Sequence, residues 1–422
     1  MRLCRAVLVL LAAMSLVEGL TLTTLSAAEP AALAKDPPLP RVAVRDGRFV
    51  TLPGAQPFQP RGFNYIRLRP SWHGTFSPKV YDGARAERMF EDLEKNGFNI
   101  VRVFIDPDPG EGSVESAGAA ELSKPYLSGF LDFLERARKH RIYVTVALCG
   151  LPPAKPYNDL VGRERKNWWH GNEMYLEEGW TRAKAQYCAD FAAAIKARDP
   201  GLLSTLFAYE LDNETTLSAN GPPFSRKEGS FTFAGQTYDL AKEEDLQRLA
   251  DDAVVRWADA CVEAVQKVDP EAFVNVNVYT FAAVGRSGPG ALRRDKSRDQ
   301  RFPPRPLALT RSRLPYLDIH FYPFSEGTLD RDLKSIEFEE VKKAAQAKGV
   351  PLLMGEFGAF KNNFKKLEDA AAAMAKHWQR VKALGFQGFL YWTYDTDEQK
   401  ELWNAKSGQG EIFEALKAAL KD

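Results

Sequence analysis

The chain has 422 residues, of which 45% are hydrophobic and 27% charged, and it carries no low-complexity tract. That composition fits an ordered globular protein and excludes a disordered or fibrous one. Lys and Arg number 57 against 56 Asp and Glu, which excludes a strongly electrostatic binder of nucleic acid or of a membrane surface.

Met1 to Arg5 is short and basic, Ala6 to Val17 is mostly apolar, and Ser26-Ala27-Ala28 supplies small residues for cleavage. Residues 1–28 therefore read as a secretory signal peptide, because the apolar run is shorter than the ~20 residues a membrane-spanning helix needs. A secreted or periplasmic location follows as the expectation, with no membrane association after cleavage. Residues 29–41 read as a linker, and 42–422 as one folded domain. Cys4 lies in the leader. That leaves Cys149, Cys188 and Cys261, an odd count with no complete pairing in one chain. Cys188 and Cys261 share apolar stripes with Phe191 and Trp257, as buried packing residues do.

Along the body, Arg45 to Pro60 carries the turn signals Asp46-Gly47 and Pro53-Gly54 and reads as a small hairpin. A first strand covers Arg61 to Tyr65. A helix over 84–95 puts Ala86, Met89, Phe90 and Leu93 on one face and stops at Asn96-Gly97. The second strand is Asn99 to Ile105. Ser123 caps a helix whose inner face holds Leu127, Phe130, Leu131 and Leu134. Then come a third strand, Ile142 to Leu148, a helix at 176–197, and a fourth strand, Leu206 to Leu211. A long helix runs over 243–267, followed by strands at Phe273 to Val278 and Leu317 to Phe321. Helix 336–347 precedes a seventh strand that begins at Leu352. Helix 366–383 precedes the eighth, Gln387 to Trp392, and 411–420 is a closing helix.

Eight mostly apolar strands alternating with helices imply parallel strands covered on both faces. The fold class is thus α/β, a (β/α)8 TIM barrel. The rival, an open nucleotide-binding sheet, would show a glycine-rich turn after its first strand, where this chain has Tyr65-Ile66-Arg67. The hairpin is expected to close the barrel floor. Long loops after strands 3, 4 and 5, at 150–175, 215–242 and 281–314, are expected on the face that carries function.

That face is formed by the C-terminal ends of strands. The polar residues there are Arg102 and Asp106, Glu210 to Glu214, His320 and Tyr322, Glu356 between Gly355 and Gly358, and Trp392. Carboxylates from strands 4 and 7 then face each other across the mouth, a pairing suited to acid–base and nucleophilic work on a glycosidic bond.

These motifs resemble, in order, those of retaining β-glycoside hydrolases of the cellulase and β-mannanase superfamily, most closely glycoside hydrolase family 5. The resemblance rests on Arg61-Gly62-Phe63-Asn64, Asn99-Ile100-Val101-Arg102, Glu210-Leu211-Asp212-Asn213-Glu214, His320-Phe321-Tyr322, Gly355-Glu356-Phe357-Gly358 and Trp392. It implies a secreted hydrolase of β-linked polysaccharide or oligosaccharide, of β-mannan or β-glucan type, working by double displacement. Glu214 would be the acid/base and Glu356 the nucleophile. The substrate-binding set would be Arg102, Asn213, His320, Tyr322 and Trp392, with Arg102 and Tyr322 also donating to Glu356. Glu210 is the rival for the acid role, and is expected to point into the barrel beside Arg102. Two departures stand out: strand 3 ends in Leu148-Cys149-Gly150 where many cellulases carry histidine, and Glu214 is followed by Thr215 rather than proline.

Trp72, Trp168 and Trp169 either stack outer sugars or anchor loops. Segment 286–313 holds nine basic and two acidic residues and reads as a solvated loop, with an acidic-substrate site as the alternative. Five histidines without metal-ligand spacing imply no metal and no cofactor. The expected partner is a carbohydrate substrate and the expected state a monomer. Two other functions fit the same residues: a carbohydrate-binding barrel without turnover, and a transglycosylase.

Overall fold

In the structure, a computed structural model that describes residues 36–421, eight parallel strands form a ring. They are β1 (Arg61–Asn64), β2 (Ile100–Ile105), β3 (Tyr143–Leu148), β4 (Leu206–Glu210), β5 in two pieces (Val274–Asn275 and Asn277–Tyr279), β6 (Leu317–His320), β7 (Leu352–Phe357) and β8 (Phe386–Tyr391). Outside them run α1 (Gly83–Lys95), α2 (Lys124–Lys139), α3 (Glu178–Arg198), α4 (Glu243–Val268), α5 (Phe338–Lys348), α6 (Leu367–Ala383) and α7 (Glu411–Ala418). The (β/α)8 reading holds, and the chain from Pro37 onward is one compact unit. The leader expected at 1–28 lies outside the described residues. The linker ends earlier than the sequence suggested: Leu39 is buried, and Arg41 opens a strand and forks onto Asp269 at 3.0 and 2.8 Å.

β2 (IVRVFI) and β3 (YVTVAL) are buried at every position, as strands covered on both faces must be. Their register pairs Ile100 with Tyr143 and Ile105 with Leu148. The helices start where capping chemistry allows. Asp82 accepts from the Arg85 N–H at 3.0 Å at the head of α1, and the Ser123 hydroxyl accepts from the Tyr126 N–H at the head of α2. Among the described residues no helix is long and apolar enough to cross a membrane.

Strand 5 departs from expectation. The apolar run Phe273 to Val278 reads as one strand, but the chain breaks at Val276. Val274–Asn275 pairs with β4, and Asn277–Tyr279 with β6. The break passes the chain from one neighbour to the next and so joins the two edges of the sheet.

The floor is three short antiparallel strands, Arg41–Arg45, Arg48–Leu52 and Gln56–Pro57, rather than a single hairpin. Phe49 descends from it into the barrel, with ring centroids 5.3 Å from Phe207 and 5.5 Å from Tyr316. Phe49→Ala would leave a cavity at the sealed end. It is expected to lower stability by about 3–5 kcal/mol, read as a fall in the denaturant midpoint with an unchanged slope.

The long loops do rise from the ends of β3, β4 and β5. Those after β4 and β5 are zipped together by a two-residue ladder, Leu217–Ser218 against Arg301–Phe302. Most of the cations of the basic segment 286–313 are exposed, as a solvated loop requires, while Arg286 and Arg305 turn inward. Arg286 donates to the carbonyls of Ala291, Leu292, Asp299 and Arg301, and Arg305 to Asp251.

Candidate active site

At the mouth, one guanidinium organises four side chains. Arg102 of β2 is fully buried. Its Nε donates to Glu210 Oε2 at 2.6 Å, Nη1 to Asn64 Oδ1 at 2.9 Å and to Glu356 Oε2 at 3.0 Å, and Nη2 to Asn213 Oδ1 at 2.8 Å. Arginine suits this work because its planar fork offers five donors in fixed directions. Glu210 lies inside the barrel, where it also accepts from Asn277 Nδ2 at 2.9 Å. The acid-role rival is therefore the ion-pair partner of Arg102, away from the open cleft.

Glu214 reaches the cleft by an unusual backbone. It has φ 49°, the left-handed region that a side chain with Cβ enters at a cost of roughly 1–2 kcal/mol. In a regular strand, neighbours point to opposite faces; this twist lets Asn213 and Glu214 line the same cleft. Asn277 holds the turn in place: its Oδ1 accepts from the Glu214 N–H and its carbonyl from the Thr215 N–H.

Glu356 near the end of β7 accepts from Tyr322 OH at 2.6 Å in addition to Arg102. The residue before it must be glycine, because a Cβ at 355 would lie 2.3 Å from Asp318 Oδ2. The same carboxyl takes the Gly355 N–H at 2.7 Å, which pins the strand beneath Glu356. His320 Nδ1 stands 3.2 Å from Glu214 Oε1 and 3.8 Å from Glu356 Oε2. One oxygen of each carboxylate and one nitrogen of His320 all lie within 4.8 Å of one another.

Burial pushes both catalytic-face carboxyls above the usual range. For Glu214 the arginines 301 and 102 oppose the rise; for Glu356 the opposition comes from the Arg102 cation and the Tyr322 hydroxyl, while Glu214 adds to it. Burial brings His320 down to about 4, so its ring is neutral at neutral pH. Arg102 stays charged: burial works against it, but Glu210, Glu356 and Asp318 outweigh that penalty.

The cleft has two lobes. One, of about 320 Å³, is lined by Glu356, His320, Tyr322, Trp392 and Trp72. Trp392 is held by Gln399 at 2.6 Å and stands edge-on to Phe104. The other, of about 360 Å³, is walled by Trp168, Trp169 and Asp212. His73, Asn213, Glu214 and Arg301 line both. Of the residues named from sequence, Asn213, Glu214, His320, Tyr322, Glu356 and Trp392 converge here. Arg102 is corrected: with no exposed surface it acts under Glu356 and Asn213 and does not meet the cleft. The sequence reading missed His73, Asn277, Arg301 and Gln399. Asn277 left a signal, as one of two asparagines, with Asn275, inside an otherwise apolar strand, and Arg301 left one only as a member of the basic segment 286–313.

A second cluster with metal-ligand spacing, Glu87, Glu91 and His140, is a surface ion-pair web in which Arg136 and Lys139 already meet Glu87 and His140 meets Glu94. At the cleft, arginines 102 and 301 bring the positive charge to the carboxylates.

A (β/α)8 barrel with two carboxylates set this close at the mouth, over an aromatic wall, defines a glycoside hydrolase. The cellulase family, glycosyl hydrolase family 5, matches residues 54–398. The chain belongs to that family and is a glycosidase. Solved structures with the same fold include the endo-1,4-β-mannanase of Rhizomucor miehei. It is 16% identical, with 90% of this chain and 100% of that one covered and a TM-score of 0.56. The endo-β-1,4-mannanase of Thermotoga petrophila is 14% identical, with 86% and 76% covered and a TM-score of 0.54. An exo-β-1,4-mannosidase from Opitutaceae bacterium strain TAV5 is 17% identical, with 90% and 62% covered and a TM-score of 0.54. No curated protein matches the chain in sequence.

Proposed function

We propose that the protein is an exported enzyme that hydrolyses β-linked glycan chains with retention of configuration, Glu356 acting as nucleophile and Glu214 as acid/base. The observation that carries this reading is the spacing of the two carboxylates, whose facing oxygens lie within 4.8 Å. Retaining glycosidases hold their carboxyl groups ~5–5.5 Å apart, while inverting ones leave ~6.5–9.5 Å for a water. The division of roles follows from the donors. Glu356 receives Arg102 and Tyr322, both within 3.0 Å, which favour a charged, oriented carboxylate. Glu214 has the neutral His320 ring at 3.2 Å and an arginine no closer than 3.6 Å, which leaves its proton available to a leaving oxygen. Two like carboxyls at this distance do not both ionise readily, so the pair rests with Glu356 ionised and the proton on Glu214.

A chain substrate is supported by the exposed aromatics. Trp72, Trp169 and Phe324 are the exposed large hydrophobic residues among those described, and all three line the cleft. Rings of this kind pack against sugar C–H faces. The structural neighbours named for β-mannan cleavage put mannans first in a test panel, with β-glucans second. Assay of reducing-sugar release across that panel tests the activity. NMR of the first-formed product tests the stereochemistry: an α-anomer released first from a β-linked substrate would overturn retention.

A further inference from the structure

We infer that Arg301, clamped on Asp299 at the lip of the cleft, is a positioning residue for the reaction: it sets the pH at which Glu214 gives up its proton. The inference rests on the proposed acid/base role of Glu214. Arg301 belongs to the basic segment 286–313, whose other arginines largely face backbone carbonyls and acids away from the cleft. It alone of that segment points at the catalytic pair. Its Nε and Nη2 fork onto Asp299 at 3.1 and 2.8 Å, and this leaves Nη1 at 3.6 Å from Glu214 Oε2. Its guanidinium lies over the Tyr279 ring at 4.9 Å, and its backbone is tied to Ser218 by the ladder between the β4 and β5 loops. The cation is thus mounted on the same loop pair that follows Glu214 in the chain.

The other titratable or charged groups facing Glu214 are His320 and Tyr322 from the β6 end, Glu356 from β7, Arg102 from β2, Tyr279 from β5 and Asp299 beside Arg301, with His73 lining the same lobes. They leave Arg301 as the adjustable one. His320 is neutral, and Tyr322 already donates to Glu356. Arg102 is fully buried and shared between Glu210 and Glu356. Arg301 keeps 45% of its side chain exposed, so its influence is open to solvent and salt. A nearby cation favours the ionised carboxylate. Without it, burial and the negative charge of Glu356 would hold the proton on Glu214 to higher pH, and the enzyme would regain its base only there.

The test is the pH profile of kcat/KM, whose alkaline limb reports the essential acid of the free enzyme. Arg301→Gln is expected to move that limb upward by roughly half to one pH unit at low salt, while Arg301→Lys leaves it near the native position. In the native protein, raising the ionic strength toward ~1 M should move the limb the same way, since the screening length falls to ~3 Å. In Arg301→Gln the salt effect should vanish. A folded Arg301→Gln protein, judged by its melting temperature, with the native limb overturns the inference. So does a native limb indifferent to salt, a result that stands even if the variant fails to fold. Azide rescue of Glu214→Ala separates the two levels. Rescue together with an unmoved Arg301→Gln limb sinks only the role of Arg301. No rescue sinks the acid/base assignment, and this inference with it.

Discussion

Glu356→Ala is expected to lose turnover on polysaccharide and on activated aryl glycoside alike, by on the order of 10⁶-fold, the scale seen when an enzyme loses its nucleophile. Arg102 and Tyr322 converge on Glu356 and on no other carboxylate of the open cleft. Truncation leaves both donors aimed at an empty place, and no covalent glycosyl–enzyme can form. A better leaving group does not help, because the missing group is the one that attacks. Initial rates on both substrates read the outcome. A rate within ~10²-fold of native on either would take the nucleophile role away from Glu356.

Glu214→Ala should behave differently. On natural substrate the leaving oxygen needs a proton, and loss of the acid is expected to slow hydrolysis by ~10²–10⁴-fold. An aryl glycoside with a good leaving group should still glycosylate Glu356, giving a burst of released phenol and then a slow steady state. Added azide should restore turnover, because azide attacks the intermediate without a base. Near-native activity on polysaccharide would place the acid elsewhere. The structure has already removed the first substitute, since Glu210 is bound by Arg102 at 2.6 Å inside the barrel.

The architecture was largely legible in the residues. Strands such as Ile100–Ile105 are buried on both faces and therefore read as unbroken apolar runs, and the helices show their inner faces at regular spacing. The end of each strand places its next polar residue at the mouth, which is why His320, Tyr322 and Glu356 could be picked out by position, whereas the choice of Glu214 over Glu210 came from the family resemblance. Three features were not legible. The break at Val276 has no Gly or Pro to mark it; it follows from the need of one strand to serve two neighbours. The left-handed turn at Glu214 lacks glycine as well, and is imposed by Asn277 from the adjoining strand. His73 and Arg301 come to the cleft on loops whose course is set by contacts remote in sequence: a His73 ring stacked on Phe104, and a two-residue ladder.

The twisted backbone at Glu214 also bears on how this protein would respond to selection for heat tolerance. Asparagine and glycine enter the left-handed region far more readily than glutamate. Either one at position 214 would relieve that conformation and remove a half-buried carboxyl with an oxygen within 4.8 Å of one on Glu356. Glu214→Asn is therefore expected to melt above the native protein while losing its activity on polysaccharide, measured by thermal unfolding and rate side by side. Ranking variants by melting temperature alone would thus favour dead enzyme at this one position, and a library screened for robustness has to hold residue 214 fixed.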